Sequence, residues 1–341
     1  MSSNDKTGAT ARGELHRIEN SSVPQLATAN LQTILQELWA RISSEPAPGM
    51  NELQLSLGDA ICERLAGLVD VHLNRFSRTR FFDLFGMFQQ DLPHPRPPIQ
   101  GATYLDLGCG SANPYGFGAL MVALGARAAT SIDLDPIEDR GRAVRAVRRI
   151  VLQLLQEPSS IVREYPITRD QILRNAQGLD LARLAAGDPA GLGDRLSYLQ
   201  RSAYETGMAS GSVDVVISNS FLEHVDDLPR LFDEMARVTK QGGYGVHAID
   251  GIDHWSYGDP ARGPHDFLCD PTPGMLHGCN RVRPLEFPAM FEKHGFRVQN
   301  VIRRMTTPMS PEIRARLLPP WSGLALDVLE TSYVTLVVRR E

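Results

Sequence analysis

The sequence predicts a doubly wound α/β fold built on a mostly parallel seven-stranded sheet, with a helical extension in front of it. Two observations carry this. From Ala102 onward, short apolar runs alternate with helical patterns, as crossover helices between parallel strands require. Before that point the periodicity is only helical, and the proline-rich segment 93–98 (PHPRPP), which sustains neither a helix nor an interior strand, separates the two textures.

Residues 1–25 are small, polar and aperiodic, and read as a disordered tail. Residues 26–99 form the helical extension. Leu31, Ile34, Leu35 and Leu38 recur at helical spacing up to the break at 45–49 (EPAPG), and Leu53, Leu57, Ile61, Leu65 and Leu68 trace a second helix. An aromatic cluster, Phe76, Phe81, Phe82, Phe85 and Phe88, follows; it suits a lid over a cleft or the face of a homodimer.

Within 100–341 the predicted strands are Thr103–Leu107, Ala129–Ile132, Leu196–Leu199, Val213–Ser218, Tyr244–Ile249, Phe296–Ile302 and Tyr333–Val338. Between them, Gly118–Leu124 is a short helix, and Ile137, Val144, Val147, Ile150, Val151 and Leu154 mark a long amphipathic one. Leu228, Leu231, Phe232, Met235 and Val238 line a third, stopped by Gly242–Gly243, and Phe287, Met290 and Phe291 a fourth ending at Gly295. Residues 158–193 read as an insertion, and 251–282 as a long loop near the substrate.

Composition narrows the function classes. A net charge of −5 with no concentrated basic face argues against nucleic acid as a partner. No run approaches the roughly 20 apolar residues of a membrane span, and the polar first residues lack the apolar core of a secretory signal, so a cytoplasmic location is expected. Cys62, Cys109, Cys269 and Cys279 are scattered and read as free thiols.

The sharpest motif is 104–118, YLDLGCGSANPYGFG. An apolar strand carrying Asp106 runs into Gly108-Cys109-Gly110 and then a helix. The glycines allow a tight turn at the strand's carboxyl end and close approach of backbone to a ligand. At the end of the second strand Asp133 supplies a carboxylate able to accept both hydroxyls of a nucleoside ribose. A pyrophosphate-binding fingerprint would need a third glycine where Asn113 stands, so a nicotinamide oxidoreductase is the weaker reading.

These residues resemble motif I, (D/E)xGxG, of the class I S-adenosylmethionine (SAM) methyltransferases. The resemblance covers about residues 100 to 341. It implies a Rossmann-like sheet whose last strand runs antiparallel between strands five and six. It also implies SAM as cofactor, with Asp106 near the methionine ammonium and Gly108, Cys109 and Gly110 along the methionine and ribose. Asp133 would hold the ribose, Leu134 would lie against the adenine, and Asn219 and Ser220 at the methionine end. Where many relatives place an aspartate after strand three, this chain has Ser202 and Ala203, so Ser202 is the candidate partner of the adenine amine.

For the acceptor, histidines at the carboxyl ends of strands four and five are the candidates. His224 lies in Leu222-Glu223-His224-Val225. The segment 247–255, HAIDGIDHW, holds His247, Asp250, Asp253 and His254, and with Asn280-Arg281-Val282-Arg283 it resembles a subgroup of small-molecule methyltransferases. His254 is the expected general base, oriented by Asp250 or Asp253, with His224 and His247 as the other candidates. Arg281 and Arg283 are candidate clamps for an acidic substrate, and Trp255 a candidate substrate contact. The His247, Asp250, His254 spacing matches no dedicated metal motif, and no metal is expected. The absence of an (N/D)PP(Y/F) sequence after strand four favours an oxygen acceptor on a small metabolite or natural product. Nitrogen or carbon acceptors and a catalytically silent SAM-fold subunit remain alternatives.

Overall fold

The computed structural model describes residue 92 and residues 96–156, 158, 165–259 and 261–341. The expected tail at 1–25 and nearly all of the helical extension at 26–99, including its lid or dimer face, lie outside the described residues. All seven expected strands are present: β1 Thr103–Leu107, β2 Ala128–Asp133, β3 Leu196–Gln200, β4 Val213–Asn219, β5 Thr239–Asp250, β6 Phe296–Thr306 and β7 Thr331–Arg340. They form one sheet in the order β3-β2-β1-β4-β5-β7-β6. The strands from β3 to β5 are parallel, and β7 runs antiparallel to both β5 and β6. The order reverses between β1 and β4, and a crevice opens at such a reversal beyond the carboxyl ends of the strands.

Period-two alternation along each strand divides the core into two layers. On one face Tyr104, Ala129, Val215, Ile217, Val246 and Ala248 pack under α1 Gly116–Leu124, α2 Arg140–Gln156, α3 Arg169–Asn175 and α4 Leu181–Ala185. On the other face Leu105, Leu107, Ile132, Val216 and Ile249 pack under α5 Leu228–Val238 and α6 Phe287–Lys293. Helix α1 is buried along its whole length, which is why its sequence shows no polar stripe. Part of the expected insertion is α3 and α4, each opened by a side-chain cap: Thr168 in a capping box with Gln171, and Asp180 accepting from two amides.

Two boundaries differ from expectation. Helix α5 ends at Val238 and β5 begins at once, so Gly242 and Gly243 sit inside the strand, at an irregularity in its pairing with β4. Gly242 adopts φ +75°, and a Cβ on Gly243 would come within 3.0 Å of surrounding atoms, so both glycines serve the bulge. The stretch between β6 and β7 also carries short helices, α7 Pro311–Arg316 and α8 Leu326–Glu330. With the long loop after β5 they enclose a third apolar cluster of Phe267, Leu268, Cys279, Met309, Leu317 and Leu329. The loop is therefore a small packed layer over one end of the sheet.

Candidate functional site

The turn after β1 is built around the Asp133 carboxylate. Its Oδ2 accepts the Gly110 amide at 2.7 Å and its Oδ1 the Asp135 amide at 3.1 Å. Gly108 and Gly110 adopt φ +67° and +78°, where only glycine is free of strain. Among the described residues a Cβ on Gly110 would meet nothing within 4 Å, so they leave open space over the turn. Leu134 beside it is 69% exposed, an apolar side chain at the rim without a covering neighbour among the described residues. Each Asp133 oxygen retains a lone pair for a further donor. Asp106, partly buried at the end of β1, is pushed up to about 8 by burial and then by the nearby Asp133 charge. Burial, with Asp106 and Asp133 adding to it, also raises the Cys109 thiol, which makes it an inert member of the turn.

Ser202 and Ala203 follow β3 in a turn where Ser202 Oγ accepts the Tyr204 amide at 3.2 Å. Asn219 ends β4, its Oδ1 accepting from the Tyr333 hydroxyl at 3.2 Å. Ser220 takes φ +46° and donates its amide to Ala248 on β5. This sharp bend carries Phe221 back over the glycine turn, where a Cβ on Gly108 would fall 2.1 Å from its ring. The sequence reading passed over Phe221, because its ring reaches the turn only through the Ser220 bend.

The residues proposed for chemistry separate into two groups. His247 is wholly buried on β5, its Nδ1 2.9 Å from Ser218 Oγ and its ring stacked on Phe291. Burial lowers it to about 3, so it is a neutral core residue and no catalyst. Arg281 and Arg283 are also buried and do not face a ligand. Arg281 donates to the carbonyls of Phe267, Asp270, Thr272 and Gly274 and lies over the Trp321 ring. Arg283 donates to those of Gly251, Leu329 and Thr331. Both guanidinium groups hold the loop together, which corrects their expected role as substrate clamps. Asp253 is likewise committed: fully buried, it accepts from the Trp255 amide and pairs with His277 at 2.9 Å. Trp255 is 53% exposed, stacked between His277 and the Arg262 guanidinium.

What gathers beyond β4 and β5 is a tighter cluster. Asp250 Oδ2 accepts the Tyr257 hydroxyl at 2.5 Å and lies 3.6 Å from His254 Nε2. The rings of His254 and His224 meet edge to face at 4.7 Å. Asn280 ties the two loops together, donating its amide to Glu223 O and its side chain to Leu222 O and Val225 O. That clip places Gly278 and Cys279 against the loop after β4, where His224 Nδ1 is 2.7 Å from Gly278 O. Glu223 is 2% exposed and lends an oxygen to the Asp250 amide at 3.3 Å.

The electrostatics follow from this crowding. Burial pushes Glu223 up to about 8 and lowers His224. The Asp250 carboxylate, 3.6 Å away, and then Cys279 push His254 up to about 10. At neutral pH the His254 ring holds its proton and is a donor, whereas a general base was expected. Glu223, Cys279 and Tyr257 escaped the sequence reading. Glu223 stands next to His224 and Cys279 next to Asn280, but only the clip brings them to His254.

A family model for the methyltransferase domain matches residues 173–246, which include β3, β4 and α5. A protein of Mycobacterium sp. (strain KMS) called an uncharacterized methyltransferase is 43% identical over 67 residues, 20% of this chain and 26% of that protein. The chain thus matches about a quarter of the length of its curated relatives. Among solved structures, an S-adenosylmethionine-dependent methyltransferase from Mesorhizobium loti aligns over 75% of this chain and 97% of its own at 17% identity and a TM-score of 0.39. Geranyl diphosphate C-methyltransferase from Streptomyces coelicolor A3(2) aligns over 87% and 86% at 16% identity and a TM-score of 0.41. The segment matched by the family model lies within the doubly wound sheet and holds β3, β4 and α5.

Proposed function

We propose that the chain transfers a methyl group from SAM to an oxygen of a small-molecule acceptor. The observations that carry this reading lie at the carboxyl ends of the strands beside the β1/β4 reversal, where a doubly wound sheet opens a crevice. A glycine turn under open space and the Asp133 carboxylate lie at one end, and the His224, Asp250, His254 and Tyr257 cluster at the other. The residues fit the cofactor: space over Gly110 for a close-lying nucleoside, spare lone pairs on Asp133 for ribose hydroxyls, and an exposed Leu134 for an adenine face. When bound, SAM supplies an electrophilic methyl carbon.

The chain's own residues do the rest. Asp106 meets the amino-acid end of the cofactor, and Ser202 is within the region of the adenine amine. At the far end His254, backed by Asp250, and the hydroxyl of Tyr257 present hydrogen-bonding groups that suit an oxygen acceptor. Holding nucleophile and methyl carbon in line supplies much of the acceleration of such a displacement. The packed loop 251–282 walls off one side of the crevice, which favours a compact acceptor over a macromolecular one.

Calorimetry of the full chain with SAM and its demethylated product tests the reading. Both should bind, and Asp133→Ala should weaken binding by about 10- to 100-fold, the worth of hydrogen bonds to a charged acceptor. An absence of heat from folded protein with either ligand overturns it.

A further inference from the structure

The cluster beyond β4 and β5 is more than a set of hydrogen-bonding groups. His224, His254 and Cys279 each offer one ligand atom, and these atoms all lie within 4.8 Å of one another. Around a tetrahedral ion with bonds of about 2.0–2.3 Å, ligand atoms stand about 3.3–3.8 Å apart, so closure by about an ångström, within reach of side-chain rotation, completes the site. We propose that His224, His254 and Cys279 bind a single zinc-type ion that leaves one coordination position open.

Four features of the structure support the assignment. First, the residue types agree. One thiolate with two imidazoles suits zinc among the divalent ions, and three protein ligands with an open fourth position is the arrangement of reactive zinc sites. Second, the outer contacts are those that ligating histidines need. The Nδ1–H of His224 donates to Gly278 O, which leaves the Nε2 lone pair free, and the Asp250 carboxylate stands beside His254. Third, Glu223 Oε2 is buried with no hydrogen-bond partner among the described residues. Unfilled buried polar atoms of this kind require compensation, and a cation beside two carboxylates provides it. Fourth, Asn280 and the His224–Gly278 contact lock together the two loops that carry the ligands, so the three side chains converge before any ion arrives.

The sequence spacing pointed away from metal because it paired His254 with His247, which the fold turns into the opposite core layer. The true neighbours come from three separate segments. Cys279 is buried and His224 is exposed, so the open position faces outward at the carboxyl ends of β4 and β5. On the reading proposed above, on which this last step rests, an acceptor hydroxyl would bind at that position and release its proton to solvent, and the ion's charge would stabilise the oxygen anion left behind.

Cobalt(II) chloride is the probe. The full chain, dialysed against a chelator and titrated with cobalt, should take up one ion with the intense visible bands of tetrahedral coordination and a thiolate-to-metal charge-transfer band. Zinc should displace it. Cys279→Ser should abolish the charge-transfer band while Cys109→Ser and Cys269→Ser keep it, and Asp250→Asn should weaken the affinity by about 10- to 100-fold. Melting temperature and SAM calorimetry on the same variants report whether they fold. Binding without a charge-transfer band, or a band that survives Cys279→Ser, overturns the proposed ligand set; no saturable binding overturns the site. A cobalt band without SAM heat leaves the metal site and removes methyl transfer. SAM heat without the band does the reverse.

Discussion

Lowering the pH from 8 to 6 should weaken SAM binding through one residue, Asp106. Its carboxyl sits at the end of β1, where burial and the Asp133 charge raise it from 3.8 to about 8. Between these values the free protein keeps Asp106 protonated, but the cationic amino-acid end of SAM favours the carboxylate. Binding therefore drives ionisation. Each pH unit below 8 should weaken binding about tenfold, and at pH 6 the loss approaches about 100-fold, or roughly 2.7 kcal/mol. The ligand's own α-amino group titrates near 8, so affinity levels off there and does not climb further. Calorimetry in buffers of different ionisation enthalpy should show about one proton released per SAM bound at pH 6. Asp106→Asn mimics the protonated acid. It should fold normally, bind with the weak affinity of the acidic limit, and lose both the pH slope and the proton release. A flat wild-type profile from pH 6 to 8, or an unchanged slope in Asp106→Asn, refutes this account of the methionine end.

Gly108→Ala combines a strained φ of +67° with a Cβ 2.1 Å from the Phe221 ring; it should abolish detectable SAM binding, and adding Phe221→Ala should recover part of it, measured by calorimetry. Arg283→Ala leaves three buried carbonyls without their donor; it should destabilise the fold by about 3–5 kcal/mol in urea denaturation, and the same loss is expected if lysine, with its different donor geometry, replaces it. His247, neutral in the fold down to about 3, is outcompeted for protons by the unfolded chain below 6.5. Its contribution is complete above pH 6.5 and is lost as pH falls toward 3, up to about 5 kcal/mol, a slope that urea midpoints should show and that His247→Gln should flatten. His254→Ala should slow methyl transfer by about 100-fold in a SAM turnover assay without weakening SAM binding.

The strands and the glycine turn were legible because both rest on local rules. Apolar runs of strand length, the Gly108–Gly110 turn and the acid at 133 are each specified within a few residues, and all seven strands formed within a few positions of their expected ends. The direction of β7 was legible only through the resemblance, since nothing local distinguishes an antiparallel strand here. The acceptor end was legible in part. Asp250 and His254 come together as read, but Arg281 and Arg283 look in sequence like ligands and in the fold are spent on backbone. An arginine in a polar loop carries no local sign of which way it turns. Glu223 and Cys279 were missed for the converse reason: their partners are distant in the chain and meet only through Asn280.

That use of arginine also explains how a loop of some thirty residues can form a fixed wall. Among the described residues, 251–282 carry only short 3₁₀ turns and the isolated bridge Leu276–Cys279, so most of their carbonyls lack the ladder that a helix or strand would supply. Buried carbonyls without donors are expensive. Arg281 answers four of them and Arg283 one, that of Gly251, while Arg283 also ties the loop to the carbonyls of Leu329 and Thr331, and a guanidinium has five donors for such a task. Asn280 then extends the same clip to the loop after β4. The consequence is that the histidines and Cys279 are positioned by buried polar groups and not by the sheet itself. A substitution in the Asn280–Arg283 segment should therefore loosen the acceptor end while the glycine turn and Asp133, which lean on β1 and β2, keep their geometry. Loss of turnover with SAM affinity intact in Asn280→Ala would carry that division; equal loss of both would show that the two ends of the crevice are held by one structure.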